Sequence, residues 1–327
     1  MKRIALGIDI GGTNTLFGLV DNEGICLAKK SLPTTDFGTP EKLIQAIFKE
    51  VQEMLLSLAD VQVVGIGIGA PNGNYYNGTI EYAPNLKWKG VVNLIQLFRK
   101  YFDLPVYVTN DANAAAIGEM TYGVAQGVKD FIVITLGTGL GSGIVCNGQL
   151  MYGHDGFAGE LGHVIVEENG RECACGRKGC LETYVSATGI VRTAHIMLAK
   201  YSKPSILRKI SDDKISAKSI AESAQKGDAL AIDIFDFTAQ KLGLSLANAV
   251  AITSPEMIVL FGGLANSGES ITDPTQKYME ENLLQIFKNK VKIIPSSLKG
   301  GTAAIMGASS LVWNELKKDQ VEKAALN

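Results

Sequence analysis

Between His163 and Cys180 the chain reads Gly162-His163, then, after a charged stretch, Cys173-Ala174-Cys175-Gly176-Arg177-Lys178-Gly179-Cys180. Three of its five cysteines fall here, with one of its three histidines. Three thiolates and an imidazole make a closed tetrahedral zinc shell with no position left for substrate. Gly176 and Gly179 supply the backbone freedom that a hairpin folded around an ion requires. Reduced cysteines buried as small hydrophobes are the bland alternative. The neighbours Arg171, Glu172, Arg177 and Lys178 do not read as a core. A disulfide fits worse, since Cys173 and Cys175 are too close to pair and any other pair leaves an odd thiol.

A closed metal site holds other groups in place. Glu160 precedes His163, and Glu182 follows Cys180. Alone, each reads as a solvated glutamate; one shared ion would bring two carboxylates from separate loops together. A further carboxylate, in Asn110-Asp111-Ala112-Asn113, sits where a strand gives way to an alanine-rich helix. Either Asn110 or Asp111 simply caps the helix, or Asp111 is a general base placed beyond a strand end.

Two glycine hairpins complete the chemistry. Asp9-Ile10-Gly11-Gly12-Thr13-Asn14 closes the first pair of strands. Backbone amides of such a turn, with the Thr13 hydroxyl, suit a phosphate, and Asp9 suits the accompanying Mg²⁺ through water. A plain Gly-Gly hairpin with an edge Asp is the simpler reading. The pattern returns at Gly137-Thr138-Gly139-Leu140-Gly141-Ser142-Gly143, and paired glycine turns are better evidence for a phosphate clamp than one. Gly262-Gly263 follows a buried strand and permits a flat ligand to approach the backbone.

The elements that must position these groups read as follows. Strands are expected over 4–10, 15–20, 25–32, 61–68, 106–109, 131–136, 144–147, 257–261 and 291–294. Helices are expected from Thr39-Pro40 with a stripe of Leu43, Ile44, Ile47, Val51, Leu55 and Leu58, then over 91–102, 186–200, 217–226, 228–252, 278–287 and 302–317. The stretch 72–90 reads as a polar connection, 137–143 as a turn, and the tail past Lys318 as frayed.

Bulk properties exclude several classes. At 327 residues the chain is long enough for two domains with their own cores, and 46% hydrophobic with 20% charged is an ordinary soluble enzyme profile. A net charge of −2 gives no case for nucleic acid or an anionic membrane. No apolar run reaches membrane-spanning length, and Asp9 comes too early for a signal peptide. A cytoplasmic location follows, where thiols stay reduced.

Together these motifs resemble the ROK family of sugar kinases and repressors, in the actin-like ATPase superfamily. Asp9 to Asn14 is similar to its first phosphate motif, Leu136 to Gly141 to its second, and Gly262-Gly263 to its adenosine motif. Asn110-Asp111 matches its sugar contact and base, and Glu160-Leu161-Gly162-His163 with the cysteine hairpin matches its zinc signature. The resemblance covers nearly the whole chain.

It implies a two-lobed, ribonuclease H-like α/β fold with a cleft. The expected division is 1–112, completed by the C-terminal helix at about 302–318, and 113–301 carrying the zinc loop. It further implies an ATP-dependent hexose kinase, most like a glucokinase, with Asp111 as base. Asn85, Asn110, Glu160, His163 and Glu182 would contact the sugar. Asp9, Gly11, Gly12, Thr13, Asn14, Gly137, Thr138, Gly139, Gly262 and Gly263 would serve ATP and Mg²⁺, and His163, Cys173, Cys175 and Cys180 would hold structural zinc. Relatives form dimers or tetramers, so a homo-oligomer is implied. N-acetylmannosamine, N-acetylglucosamine, fructose and allose are alternative substrates. A sugar-responsive repressor is disfavoured, because the first strand begins at Ile4 and leaves no room for a helix-turn-helix domain before it; a non-catalytic sensor is disfavoured by Asp111 and both hairpins.

Overall fold

A computed structural model describes residues 1–298 and 302–325, with side chains as far as Lys318. The chain forms two compact units. The first takes Met1–Gly127, Leu150–Ala158 and the C-terminal segment from Ser297; the second takes Val128–Gln149 and Gly159–Ser296. The expected boundary at residue 112 therefore falls inside the first unit.

In the first unit, strands β1 (Lys2–Ile10), β2 (Asn14–Asp21) and β3 (Cys26–Pro33) form an antiparallel meander. Helix α1 (Pro40–Leu56) crosses to β4 (Val61–Gly69), which pairs parallel to β1. Thr39 caps α1, accepting from Lys42 N at 3.4 Å, with Pro40 at the first helical position. Leu43, Ile44, Ile47 and Val51 are buried along one stripe of α1, as the spacing predicts; Met54 completes it, whereas Leu55 is half-buried and Leu58 lies past the helix end.

The stretch read as a polar connection is instead built structure. It contains β5 (Gly73–Asn74) and β6 (Thr79–Glu81), and β7 (Val91–Asn93) pairs antiparallel with β6. Asn74, Ile80, Ala83, Leu86 and Trp88 are buried in it. The helix expected over 91–102 shrinks to α2 (Leu94–Phe98): the β-branched Val91 and Val92 join the small sheet, and Asn93 caps α2 by accepting from Gln96 N at 2.9 Å. Strand β8 (Val106–Thr109) pairs parallel to β4, and α3 (Asp111–Tyr122) follows at once. The sheet order is β3-β2-β1-β4-β8. The C-terminal helix, Ala303–Ala325, runs past its expected end at Lys317 and lies against this sheet: a methyl on Gly7 or Gly67 would collide with its Ile305 or Ala308 carbonyl.

The second unit repeats the plan. Strands β9 (Phe131–Leu136) and β10 (Leu140–Cys146) are antiparallel, β11 is Gln149–Leu150, β12 (Met257–Phe261) pairs parallel to β9, and β13 (Lys292–Pro295) parallel to β12. The order β11-β10-β9-β12-β13 matches that of the first sheet. The turn is shorter than the glycine run implied, because pairing resumes at Leu140. Gly141 and Gly143 are strand residues opposite Thr135 and Val133. Helices α4 (Ala187–Lys200), α5 (Ala217–Gln225) and α6 (Ala229–Thr253) fall near their expected limits, capped by Ser186, Ser216 and Asp228. Between α4 and α5, Ile206–Lys209 and Asp212–Lys214 are short 3₁₀ turns. Helix α7 is Glu269–Asn282, with Pro274 inside; Leu283 is already extended, so the helix expected at 278–287 ends early. Ile132, Ile134, Leu136, Ile190, Ile234, Leu242 and Ile258 are among the buried residues of this unit's core. No helix among the described residues is long and apolar enough to cross a membrane.

Candidate functional site

In the first unit the ends of β1, β4 and β8 bring the expected groups together. Asp9 is paired across β1 with Leu16 of β2 and with Gly69 of β4. Asn110 is the N-cap of α3: its side-chain oxygen accepts from Asn113 N at 2.6 Å. Asp111 is the first helical residue and accepts from Ala112 N at 2.8 Å. Capping and a functional placement therefore coexist, with the cap on Asn110 and the carboxylate of Asp111 beside it. The protein packed around Asp111 raises its carboxyl above the ordinary range.

The first glycine turn is held by Gly11 N donating to Asn14 O at 3.0 Å, and Thr34 N donates to Thr13 O at 2.8 Å. Thr13 and Asn14 are exposed. The backbone of Asn85 lies directly on this turn: a methyl on Gly12 would stand 2.6 Å from the Asn85 carbonyl oxygen. Asn85 is exposed while Leu86 and Trp88 are buried. Trp88 Nε1 donates to Phe37 O at 3.4 Å and Lys87 Nζ to Thr35 O at 2.8 Å. The two apolar side chains thus anchor the loop and leave Asn85 facing outward.

The second unit holds the remaining residues. Turn Gly137–Gly139 is tied to the start of α4 by Ala187 N donating to Gly137 O at 2.9 Å and Thr188 Oγ1 to Thr138 O at 2.9 Å. Thr188 was not singled out from the sequence, where an N-terminal helix threonine is too common to notice. Gly262 has φ +105°, and a methyl there would stand 2.7 Å from the Leu136 carbonyl oxygen. Leu264 N donates to that oxygen at 3.1 Å. The Gly262-Gly263 turn therefore sits beside the end of β9, next to Gly137, and among the described residues nothing lies within 4 Å of a methyl placed on Gly137 or Gly263.

The four proposed metal ligands converge. Their donor atoms all lie within 4.8 Å of one another. Cys175 Sγ and Cys180 Sγ are 3.6 Å apart, and Cys173 Sγ and His163 Nδ1 are 3.7 Å apart. A zinc tetrahedron with bonds of about 2.3 Å has edges of about 3.8 Å. The donor set and its spacing thus fit a closed zinc shell. The hairpin needs its glycines: Gly176 and Gly179 have φ +88° and +78°, and any side chain on Gly179 would collide with the Glu167 carbonyl.

Glu160 and Glu182 both reach this cluster. Glu160 Oε2 is 4.0 Å from His163 Nε2, on the side of the ring away from the cysteines' partner atom. Glu182 Oε1 is 3.9 Å from His163 Nδ1 and 3.2 Å from Cys173 Sγ. Its other oxygen accepts from Leu140 N at 3.3 Å, and a methyl on Gly139 would stand 2.7 Å from that oxygen. One carboxylate therefore touches both the metal cluster and the second glycine turn.

The cluster's setting is more core-like than its charged neighbours suggest. Cys173 and Cys180 are buried. Arg171 stacks on Tyr184 at 4.5 Å and donates to Thr183 O at 2.8 Å, Gly189 O at 3.1 Å and Thr193 Oγ1 at 2.9 Å. Its guanidinium staples the cysteine loop to α4 and to the 3₁₀ turn Leu181–Thr183 that carries Glu182. From sequence alone an arginine two residues before a cysteine carries no such signal.

The ROK family model matches residues 5–315. The chain belongs to the ROK family. It is 34% identical over 319 residues to a glucokinase of Halalkalibacterium halodurans, covering 95% of each chain. A solved ROK family glucokinase from Streptomyces griseus, in complex with glucose and AMPPNP, is 35% identical, with 94% of this chain and 98% of that one covered and a TM-score of 0.80. Transcription factors of the family are relatives too: a putative xylose repressor of Caldicellulosiruptor is 28% identical over 316 residues, covering 96% of this chain and 79% of the repressor. The fold is that of the ROK sugar kinases, built on the actin-like ATPase plan.

Proposed function

We propose that this ROK protein is an ATP-dependent hexose kinase whose substrate is glucose. What supports this most is the near full-length likeness, at 35% identity and TM-score 0.80, to a glucokinase bound to glucose and AMPPNP. Asp9 at a strand end, Asp111 at a helix start and the glycine turns at 11–12 and 137–139 also suit the roles assigned to them.

In this reading Asp111 accepts the proton of a sugar hydroxyl as that oxygen forms its bond to the γ-phosphorus. The bond from that phosphorus to the bridging oxygen breaks, and ADP leaves. A raised carboxyl pKa suits a proton acceptor. Asn85, Asn110, Glu160, His163 and Glu182 hydrogen-bond the sugar. The turns Gly11–Asn14 and Gly137–Gly139 take phosphate oxygens, Gly262-Gly263 lies along the adenosine, and Asp9 faces Mg²⁺. His163, Cys173, Cys175 and Cys180 would hold zinc in a closed shell, which would order the sugar-contacting loops and supply no chemistry to the transfer. Phosphoryl transfer asks mainly for alignment and charge neutralisation, which this set supplies. The reading also includes a cytoplasmic homo-oligomer, dimer or tetramer.

A coupled ADP-release assay with MgATP against glucose, fructose, allose, N-acetylglucosamine and N-acetylmannosamine tests it. Turnover led by glucose is expected. Turnover led by an amino sugar keeps the mechanism and changes the substrate; silence on every sugar by folded, zinc-loaded protein overturns the kinase reading.

A further inference from the structure

We infer that Ser142 is a positioning residue for sugar recognition, fixing the Gly159–His163 turn so that Glu160 and His163 face the same ligand. This rests on the reading of those two residues as sugar contacts. Ser142 lies on β10 and is 1% exposed. Its hydroxyl donates to the Gly159 carbonyl and accepts from Leu161 N at 3.1 Å. A single buried hydroxyl therefore satisfies a backbone acceptor before Glu160 and a backbone donor after it.

The turn lies flat on β10 around that hydroxyl. Gly159 has φ +94°, and a methyl there would stand 3.0 Å from the Ser142 carbonyl oxygen. A methyl on Gly162 would collide with the Leu140 carbonyl. Leu161 N also donates to Gly159 O at 3.0 Å, a tight closure that brackets Glu160. Glu160 has φ −81° and ψ 52°, outside the helical and extended regions, and leads into the 3₁₀ turn Leu161–His163. Alanine at 142 removes the side-chain partner from both sides of this residue. Gly159 O and Leu161 N are then left with only each other across this tight closure, beside a buried strand, which favours a shifted turn. Glu160 and His163, now 4.0 Å apart, would then separate.

The test compares wild type, Ser142→Ala, Ser142→Thr and Glu160→Ala for glucose KM and kcat at saturating MgATP. Nucleotide Kd is measured without sugar by calorimetry, and zinc by mass spectrometry. For Ser142→Ala, glucose KM is expected to rise on the order of tenfold, the equivalent of one lost buried hydrogen bond. kcat, nucleotide Kd and zinc content should stay near wild type, and Ser142→Thr, which keeps the hydroxyl, should recover the affinity. Unchanged glucose KM in Ser142→Ala overturns the inference, and so does a parallel fall in nucleotide affinity and zinc, which marks general damage to β10. If Ser142→Ala does not fold, Ser142→Cys, with a much weaker hydrogen-bonding group, takes its place with the same expectations. Normal glucose KM in Glu160→Ala overturns the sugar-contact reading and this inference with it; a damaged Glu160→Ala beside a normal Ser142→Ala overturns this inference alone.

Discussion

Asp9 at the end of β1 and Asp111 at the start of α3 stand on either side of Gly69. A methyl built on Gly69 would lie 3.8 Å from Asp9 Oδ1 and 3.7 Å from Asp111 Cα. Burial, and after it the charge of Asp111, pushes Asp9 up to about 7. Magnesium-dependent nucleotide binding is therefore expected to weaken as pH falls through about 7, since a protonated Asp9 offers no charge to a cation. Calorimetric titration of MgADP at about pH 6 and about pH 8 checks this. Equal affinity at both would remove Asp9 from the cation's surroundings.

The same carboxyl acts on folding with a definite sign. Its folded pKa lies above its unfolded value, so its contribution to stability is full below the unfolded value and is lost as pH rises through about 7. Asp9→Asn is thus expected to stabilise nucleotide-free protein at about pH 8, by on the order of 1–4 kcal/mol, with the gain shrinking toward about pH 4. Urea titrations at both pH values decide it, and a gain that grows on acidification contradicts the sign.

Asp111→Asn keeps the shape of the helix start and removes the base. Turnover is expected to fall roughly 10²–10⁴-fold, with glucose affinity retained. Single-turnover kinetics with a separate binding titration distinguish the two effects. Near-normal turnover would assign the proton to another acceptor.

Cys175→Ser removes the one exposed thiol of the metal cluster. Zinc content is expected to drop and glucose affinity with it, because Glu160 and Glu182 both lie beside the ligands. Zinc lost at full stoichiometry with glucose affinity intact would make the metal a remote staple.

Gly12→Ala drives a methyl to 2.6 Å from the Asn85 carbonyl oxygen, a backbone atom that cannot simply rotate aside. The glycine turn and the Asn85 loop must move apart, at a cost of roughly 1–3 kcal/mol. KM values for both nucleotide and sugar are expected to rise. A rise confined to the nucleotide would show that Asn85 does not follow the turn.

Much of this was legible because it rests on local rules. Thr39-Pro40 starts α1, and the Asn110 cap starts α3. The metal hairpin was readable because ligand type and glycine spacing are both demanding. What stayed hidden depends on partners distant in sequence. Val91 and Val92 join a strand because Thr79–Glu81 is there to pair with them. Gly141 and Gly143 look like a turn until Thr135 and Val133 are found opposite them. Arg171 looks like a solvated charge until Tyr184 and the carbonyls of Thr183 and Gly189 surround it.

The two sheets share one strand order, and one of the connections in which they differ carries the metal cluster. In the first, β3 leads to α1 through residues 34–39; in the second, β11 leads to α4 through residues 151–186, which contain all four metal ligands and both glutamates beside them. The sheet beneath is the same with or without that insertion. If the sugar contacts are as proposed, Glu160, His163 and Glu182 travel together on that one connection while Asn85 and Asn110 stay with the other unit, so exchanging it between relatives would change three of the five contacts and leave the two sheets as they are.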